Sequence, residues 1–254
     1  TEPGIVEVIK HVTVLRDGKL VAEKPANEIN VAWIIEQMVG RNPAALFHGA
    51  EHAIGDELLR VEEVTLPRQG GGFTLDHVSF NLRHGEIVGL YGLMGAGRSE
   101  LLECLAGVRQ GATGKIWLAG EEVKPGDVGD RIKLGVSLVP EDRQRDGLVQ
   151  TLSVANNMLL ARLRNYLSSF MLSAQKEKQA VTDSVKALSV KVANPTQSIT
   201  SLSGGNQQKV VVAKSLLTKP KLLLLDEPSR GIDVAAKSEI FAIMSRFKRG
   251  ASHV

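Results

Sequence analysis

The run Leu222–Leu225, opened by Lys221 and closed by Asp226-Glu227-Pro228, most narrows what this chain can fold into. A short, wholly apolar segment fits a strand buried on both faces, as in a parallel sheet covered by helices, and not a strand with one wetted face. The two carboxylates that end it then stand at the carboxyl edge of the sheet, where open α/β folds bind ligands. An Asp at such an edge can hold Mg²⁺ through water, and an adjacent Glu can orient or deprotonate an attacking water. Two solvated acids before a proline turn are the plainer alternative, and context decides between them.

That context lies upstream. Ile87-Val88-Gly89-Leu90-Tyr91 reads as a strand, Gly92-Leu93-Met94-Gly95-Ala96-Gly97 as a glycine loop, and Arg98–Leu105 as the start of a helix. Strand, glycine loop and helix in this order form a phosphate cradle: backbone N–H groups turn inward, the helix start adds partial positive charge, and Ser99 falls where a hydroxyl meets Mg²⁺. Arg98 stands where a lysine is usual. A lysine is a compact point charge between terminal phosphates, whereas an arginine is a longer planar fork, so binding tolerates the exchange better than fast hydrolysis does. Taken alone, the loop also suits a turn that merely packs a strand on a helix.

Leu202-Ser203-Gly204-Gly205-Asn206-Gln207-Gln208-Lys209 supplies a second helix start. Ser203 suits an N-cap, Gly204 and Gly205 permit close backbone approach, and Gln207–Leu217 carries Val211, Val212, Ser215 and Leu216 as a buried face. A second phosphate-facing helix end is redundant within one site. Two cassettes in a sandwich resolve this, each signature helix covering the nucleotide held by the other; an ordinary helix N-cap is the alternative.

From Leu58 to Val254 the chain resembles the ATP-binding cassette ATPases, and within them the second cassette of the tandem ATPases of ribose-, galactose- and xylose-type sugar importers. The closer resemblance is carried by Gly92–Ser99, by Pro140-Glu141-Asp142-Arg143 with Asp146-Gly147-Leu148, and by Leu202–Lys209. Arg98, Glu141 and Asn206, where generic cassettes have lysine, glutamine and glutamine, are typical of that subfamily's second half. The resemblance implies an α/β fold of the P-loop NTPase cassette type: a mostly parallel core sheet, an amino-terminal antiparallel β part and an inserted helical subdomain. It implies that Gly92, Gly95, Ala96, Gly97, Arg98, Ser99 and Glu100 bind ATP phosphates, with Ser99 and Asp226 on Mg²⁺ and Glu227 as catalytic base or water-positioning group. Ser203, Gly204 and Gly205 would meet the companion's nucleotide. Glu141 would serve catalysis from the loop that meets metal, water and membrane subunit, although an ionised carboxylate cannot donate a hydrogen bond; a solvated acid among Asp142, Arg143, Arg145 and Asp146 is its other reading. Asp233, in Arg230-Gly231-Ile232-Asp233, would cross the cassette interface.

The family's switch histidine is expected beyond Val254, since His253 comes too early. Its adenine-stacking aromatic is missing from Val64–Arg68. Phe73 and Arg68 are the candidates to replace it, with a core Phe and a solvated Arg as the plainer readings.

The organisation expected is 1–45 as the tail of a preceding cassette, 46–56 as linker, and 57–254 as a cassette cut short at its C-terminus, with the helical subdomain at about 148–201. The tail would comprise a hairpin over Val12–Ala22 around Asp17-Gly18 and a helix over Val31–Val39, stopped by Gly40; a hairpin belonging to the cassette itself is the alternative. In the insertion, Val154–Leu163 and Ala174–Leu188 read as helices, with Lys176, Glu177, Lys178 and Lys186 wetted. The chain would then be a piece of a protein about twice its length.

A chain of 254 residues with 43% hydrophobic residues can bury a sizeable core. No run approaches a membrane span, and no secretory leader is visible at Thr1. The lone cysteine, Cys104, excludes an internal disulfide and reads as core. Thirty-one Lys and Arg against 28 Asp and Glu, with few aromatics, give no argument for nucleic acid. The expected protein is a bacterial carbohydrate-import ATPase on the cytoplasmic face of the inner membrane. Its partners would be a companion cassette, a polytopic permease and, indirectly, a periplasmic sugar-binding protein. A regulatory module whose Arg98 site binds ATP without turning it over is the second reading, and a soluble cassette acting on DNA or ribosomes the third.

Overall fold

The computed structural model describes residues 10–16, 19–30, 33–34, 36–37, 54–162, 167–168 and 171–248. They fall into two compact units, one from residues up to 51 with Asp233–Ser245, the other from 52 to 232 with the end of the last helix.

In the first unit, β1 (His11–Arg16) and β2 (Lys19–Pro25) form an antiparallel hairpin whose register ends at Arg16↔Lys19, the spacing of a two-residue turn. Asp17-Gly18 itself lies outside the described residues. Of the expected Val31–Val39 helix, Trp33, Ile34, Glu36 and Gln37 are described and helical, with the Lys24 ammonium 5.5 Å from the centre of the Trp33 ring. Gly40 and His253 also lie outside. Most of the last helix belongs to this unit, and Ala236, Ile240 and Ile243 are buried along it at helical spacing.

The second unit carries the candidate site. β3 (Glu57–Pro67), β4 (Phe73–Arg83), β5 (Thr113–Leu118) and β6 (Glu121–Glu122) form an antiparallel sheet in the order β4-β3-β5-β6. Its apolar face and α1 (Arg98–Leu105) share one core, in which Val61, Val64, Leu75, Leu101, Cys104 and Leu105 are all buried. α2 (Val128–Leu134), capped by Asp127 and stopped at Gly135 with φ of 96°, leads into β7 (Val136–Val139). β7 pairs in parallel with β10 (Leu222–Leu225), from Leu222↔Val136 to Leu225↔Val139. The run of leucines thus forms a parallel strand, and Asp226 and Pro140 leave the sheet at the same end.

The strand expected at Ile87–Tyr91 does not form. These residues form no strand pairing and are open to solvent, Ile87 at 53% and Tyr91 at 101% exposure. Apolar content alone does not make a strand. A ladder needs a neighbour, and among the described residues β7 and β10 pair with each other and with nothing else.

After β7, a π-type turn (Arg143–Gly147) leads to α3 (Val154–Leu159), the two-residue strands β8 (Leu167–Ser168) and β9 (Met171–Leu172), α4 (Ala174–Ala187) and α5 (Gly204–Leu217). α3 and α4 pack on α5, and α5 packs on β7. Asn157, fully buried, anchors the insertion: its side chain accepts from the Val149 N–H and donates to the carbonyls of Val149 and Ser153. The first insertion helix is shorter than expected. It tightens into a 3₁₀ turn at Leu160–Arg162, where Arg162 donates to the Leu217 carbonyl at 2.9 Å; Leu163 lies outside the described residues. α6 (Val234–Lys248) ends the described chain. No described helix is long and apolar enough to cross a membrane.

Candidate functional site

The glycine loop takes the backbone form that a phosphate cradle needs without the strand expected before it. Gly95 and Gly97 have φ of 78° and 86°, on either side of Ala96, the left-handed glycines that such a cradle uses. The Ala96 N–H closes a turn on the Leu93 carbonyl at 3.1 Å. Gly97 is the N-cap of α1, and a side chain there would force the backbone to shift: a Cβ would sit 2.6 Å from the Thr74 carbonyl oxygen. Glycine thus lets β4 and the loop touch, and it also leaves α1 without a side-chain cap, so the first N–H groups of the helix are unclaimed by it. Gly92 lies against Ala96 and the Arg98 side chain, and Glu100 is in the first turn of α1.

Four of the expected site residues come together at the end of β10. The Asp226 N–H extends the parallel pairing to the Val139 carbonyl at 2.9 Å, and its buried carboxylate, 8% exposed, accepts a hydrogen bond from Ser99. Burial raises the Asp226 pKa, a rise that the Ser99 hydrogen bond opposes and that the Glu227 and Glu103 charges reinforce. Glu227 has φ of 40°, a left-handed conformation uncommon outside glycine and often found at functional sites. Its carboxylate faces Arg98, with 3.4 Å between Nη2 and Oε1. Both side chains are partly solvated, so this pair is weak and easily exchanged.

A buried carboxylate beside a hydroxyl, next to a glycine loop that opens a helix, fits Mg²⁺ in the company of phosphates. Magnesium takes few protein ligands when phosphate and water complete its shell. No group of three or more His, Cys, Asp or Glu among the described residues is set to hold a metal.

Glu141 and the start of α5 form a second cluster. Glu141, partly solvated, is ion-paired with Arg230. Arg143 donates to the carbonyls of Arg230 at 2.9 Å and Gly231 at 3.3 Å. Ser203 is the N-cap of α5 by backbone conformation, yet its side chain makes no capping bond; its hydroxyl accepts from Asn206 instead. Asn206 in turn accepts from the Lys191 N–H at 2.8 Å, so it fastens the helix start to the chain before it. Gly204 and Gly205 open the helix, with Gly205 buried. Lys209, the last residue of the signature string, is buried and donates to the Ser189 carbonyl, a packing role. Among the hydrogen bonds and ion pairs of the described residues, none joins Ser203, Gly204 or Gly205 to the Gly92–Ser99 loop. Asp233 caps α6 by accepting from the Ala236 N–H at 2.9 Å.

Phe73 is half exposed and is not the core residue expected of a Phe at this position; Arg68 is exposed as expected. Sequence reasoning gave no role to Arg143, Arg230 or Lys214. Their partners lie far off along the chain, and no local spacing signals them. Lys214 donates to the Gly147 carbonyl, and burial lowers its pKa.

Comparison with known proteins agrees with this geometry. The family described as ABC transporter matches residues 75–230. The chain is 43% identical over 245 residues to the xylose import ATP-binding protein XylG of Photobacterium profundum, covering 95% of this chain and 48% of that protein. It is also 43% identical to a putative ribose/galactose/methyl galactoside import ATP-binding protein of Rhizobium etli, covering 96% of this chain and 46% of that protein. The chain thus spans about half the length of the curated relatives it matches. Among solved structures, a dimeric post-hydrolysis state of the ATP-binding cassette MJ0796 bound to ADP and Pi superposes with a TM-score of 0.67 at 20% identity, covering 77% of this chain and 84% of that one. The cbiO1 structure from Clostridium perfringens, part of the transporter complex cbiONQ, gives 0.63 at 23% identity, covering 78% and 76%. These likenesses establish the cassette fold. With the glycine loop, the acid-ended parallel strand and the Leu202–Lys209 helix start all lying within or beside residues 75–230, the chain belongs to the ABC transporter family.

Proposed function

We propose that this chain is an ATP-binding and ATP-hydrolysing cassette of a bacterial carbohydrate importer. One observation carries the chemistry: Arg98 and Ser99, at the start of α1, meet Asp226 and Glu227 at the carboxyl end of β10. In this reading, the glycine loop and Arg98 hold the β- and γ-phosphates, and Ser99 and Asp226 hold Mg²⁺. Mg²⁺ supplies charge neutralisation along the transferred phosphoryl group. Glu227 takes or orients the water. Phosphate oxygens compete for Arg98 and release the Glu227 carboxylate to that water. Glu141 lends a further charge from the end of β7. The sugar specificity of the relatives supports a carbohydrate cargo.

Ser203, Gly204 and Gly205 serve the nucleotide of a companion cassette. Two further features support a sandwich: this helix start has no described bond to the chain's own phosphate loop, and its N–H groups are left uncapped. The remaining partners are a polytopic permease, met through the Glu141 loop, and a periplasmic sugar-binding protein beyond it. The working place is the cytoplasmic face of the membrane. The organisation proposed is a preceding cassette's tail over 1–45, a linker over 46–56 and the cassette from 57, and Asp233 acts at the cassette interface besides capping α6. The half-exposed Phe73 ring, on the strand that Gly97 abuts, is the stacking surface for adenine.

A second reading draws on the Arg98–Glu227 contact: a regulatory site that binds ATP while its base stays engaged by Arg98. Titration of a labelled ATP analogue, set beside single-turnover hydrolysis at each site of the native polypeptide, separates the two. Turnover at the Arg98 site equal to that at the companion site removes the regulatory reading; tight binding without turnover there removes the hydrolytic one.

A further inference from the structure

Two other stretches of chain, Arg230-Gly231 and the α5 start at Gly204, meet on the Arg143 guanidinium. Nη1 donates to the Arg230 carbonyl at 2.9 Å and Nη2 to the Gly231 carbonyl at 3.3 Å. The same Nη2 fills the space beside Gly204, where a Cβ would lie 2.7 Å from it and 3.3 Å from the Gly231 oxygen. Gly204 is therefore glycine for a reason other than backbone conformation: the room for its side chain belongs to Arg143.

The charge of Arg143 has no carboxylate partner among the described residues. Asp142 accepts from the N–H groups of Gln144 and Arg145, Asp146 binds Arg145, and Glu141 binds Arg230. The Arg143 Nε is buried and unbonded. A guanidinium held only by backbone carbonyls costs more than the same fork on a carboxylate, so the arrangement is weakly explained by stability alone. Its turn is also anchored: Lys214 of α5 donates to the Gly147 carbonyl, and a Cβ on Gly147 would come within 3.0 Å of Val211. Lysine, with one ammonium on a flexible stem, does not reproduce a planar two-carbonyl bridge.

We propose that Arg143 is a positioning residue that fastens the phosphate-facing start of α5 to the backbone just after Glu227, so that both follow the Glu141 loop as one block. This rests on the sandwich reading above, in which the α5 start faces the companion's nucleotide and Glu227 faces this chain's own. Closure over one nucleotide then aligns the water-positioning carboxylate at the other.

The test compares Arg143→Met, Arg143→Lys, Gly204→Ala and the Arg143→Met/Gly204→Ala double variant in the native polypeptide that carries this sequence. ATP turnover, affinity for a fluorescent ATP analogue and the thermal midpoint are measured for each. Arg143→Met is expected to lower kcat about tenfold or more while analogue affinity stays within about twofold, with Arg143→Lys recovering part of the loss. Gly204→Ala alone is expected to cost about as much as Arg143→Met, and the double variant no more than either, because the Cβ enters space that Arg143 has vacated. Unchanged kcat in Arg143→Met, additive losses in the double variant, or losses that track the thermal midpoint without recovery in Arg143→Lys each overturn the assignment. If Arg143→Met does not fold, Arg143→Lys decides by the same kcat and affinity readings. ATP-dependent association of the unsubstituted cassettes, followed by small-angle scattering, reads the sandwich separately. Its absence overturns that reading and the coupling with it, whereas its presence beside an unchanged kcat overturns Arg143 alone.

Discussion

Helix starts in this chain divide into two kinds. α2, α3, α4 and α6 are each closed by a side chain, from Asp127, Ser153, Ser173 and Asp233, accepting from a backbone N–H of the first turn. α1 and α5 are not: Gly97 has no side chain, and Ser203 turns its hydroxyl to Asn206. An N-cap side chain is worth about 1 kcal/mol and is ordinarily kept. Among the described helices, the two that forgo it are both preceded by glycine-rich or serine-glycine sequence, as the proposed phosphate contacts require. The two also differ from each other. α5 is tied down by Asn206, Lys209 and Lys214, and Arg143 packs against its start, whereas the segment leading into α1 is open, with Met94 at 98% exposure. The helix start assigned to the companion's nucleotide is the better fastened of the two.

The comparison breaks most sharply at Gly97. Gly97→Ala forces a Cβ against the Thr74 carbonyl at a φ of 86°, so analogue affinity is expected to fall about a hundredfold or more and stability by about 2–4 kcal/mol, read by titration and urea unfolding. Retained affinity would show that the α1 start is not the phosphate site.

Asp226→Asn separates function from stability at the same cluster. Burial raises the Asp226 pKa, so between the ordinary Asp value and the raised one the folded protein holds more protons than the unfolded chain, and stability falls as pH rises through that window. Removing the charge is therefore expected to raise the thermal midpoint at neutral pH, with the gain shrinking to nothing below the ordinary Asp range, while Mg²⁺-dependent analogue binding is lost. A lowered midpoint at neutral pH would contradict the burial argument.

At α5, Ser203→Asp supplies the cap that nature omits and places a negative charge where phosphate is expected. Turnover should drop about tenfold with the thermal midpoint unchanged or slightly raised. Undiminished turnover would mark α5 as an ordinary helix. The smallest effect sharpens the contrast between kinds: Ser153→Ala should cost about 1 kcal/mol in urea unfolding and Ser203→Ala only a few tenths, since Ser153 caps α3 and Ser203 caps nothing.

Leu222–Leu225 was legible as a parallel strand because four adjacent apolar residues have no wetted face, and the structure gives it β7 as neighbour. The Gly92–Gly97 loop and the α5 start were legible because glycine placement and local capping chemistry act within a few residues. Ile87–Tyr91 has the same apolar character as β10 yet lacks a strand beside it, and pairing is not a property that a segment carries alone. Glu141 among four charged neighbours gave no sign of which cation would claim it, and Arg230 lies far along the chain.

By itself the sequence determined the local pieces: which segment is apolar enough to be buried, where glycine lets backbone N–H groups converge, and which acids and hydroxyls wait at the ends of elements. Short-range sterics and hydrogen bonding settle these within a turn or two of chain. Only the tertiary structure decided that Ser99 meets Asp226, that Arg98 engages Glu227, and that Arg143 gathers Gly204 with Arg230 and Gly231. Those meetings depend on how β7, β10 and α5 pack, and packing brings together residues whose separation in sequence no local pattern encodes.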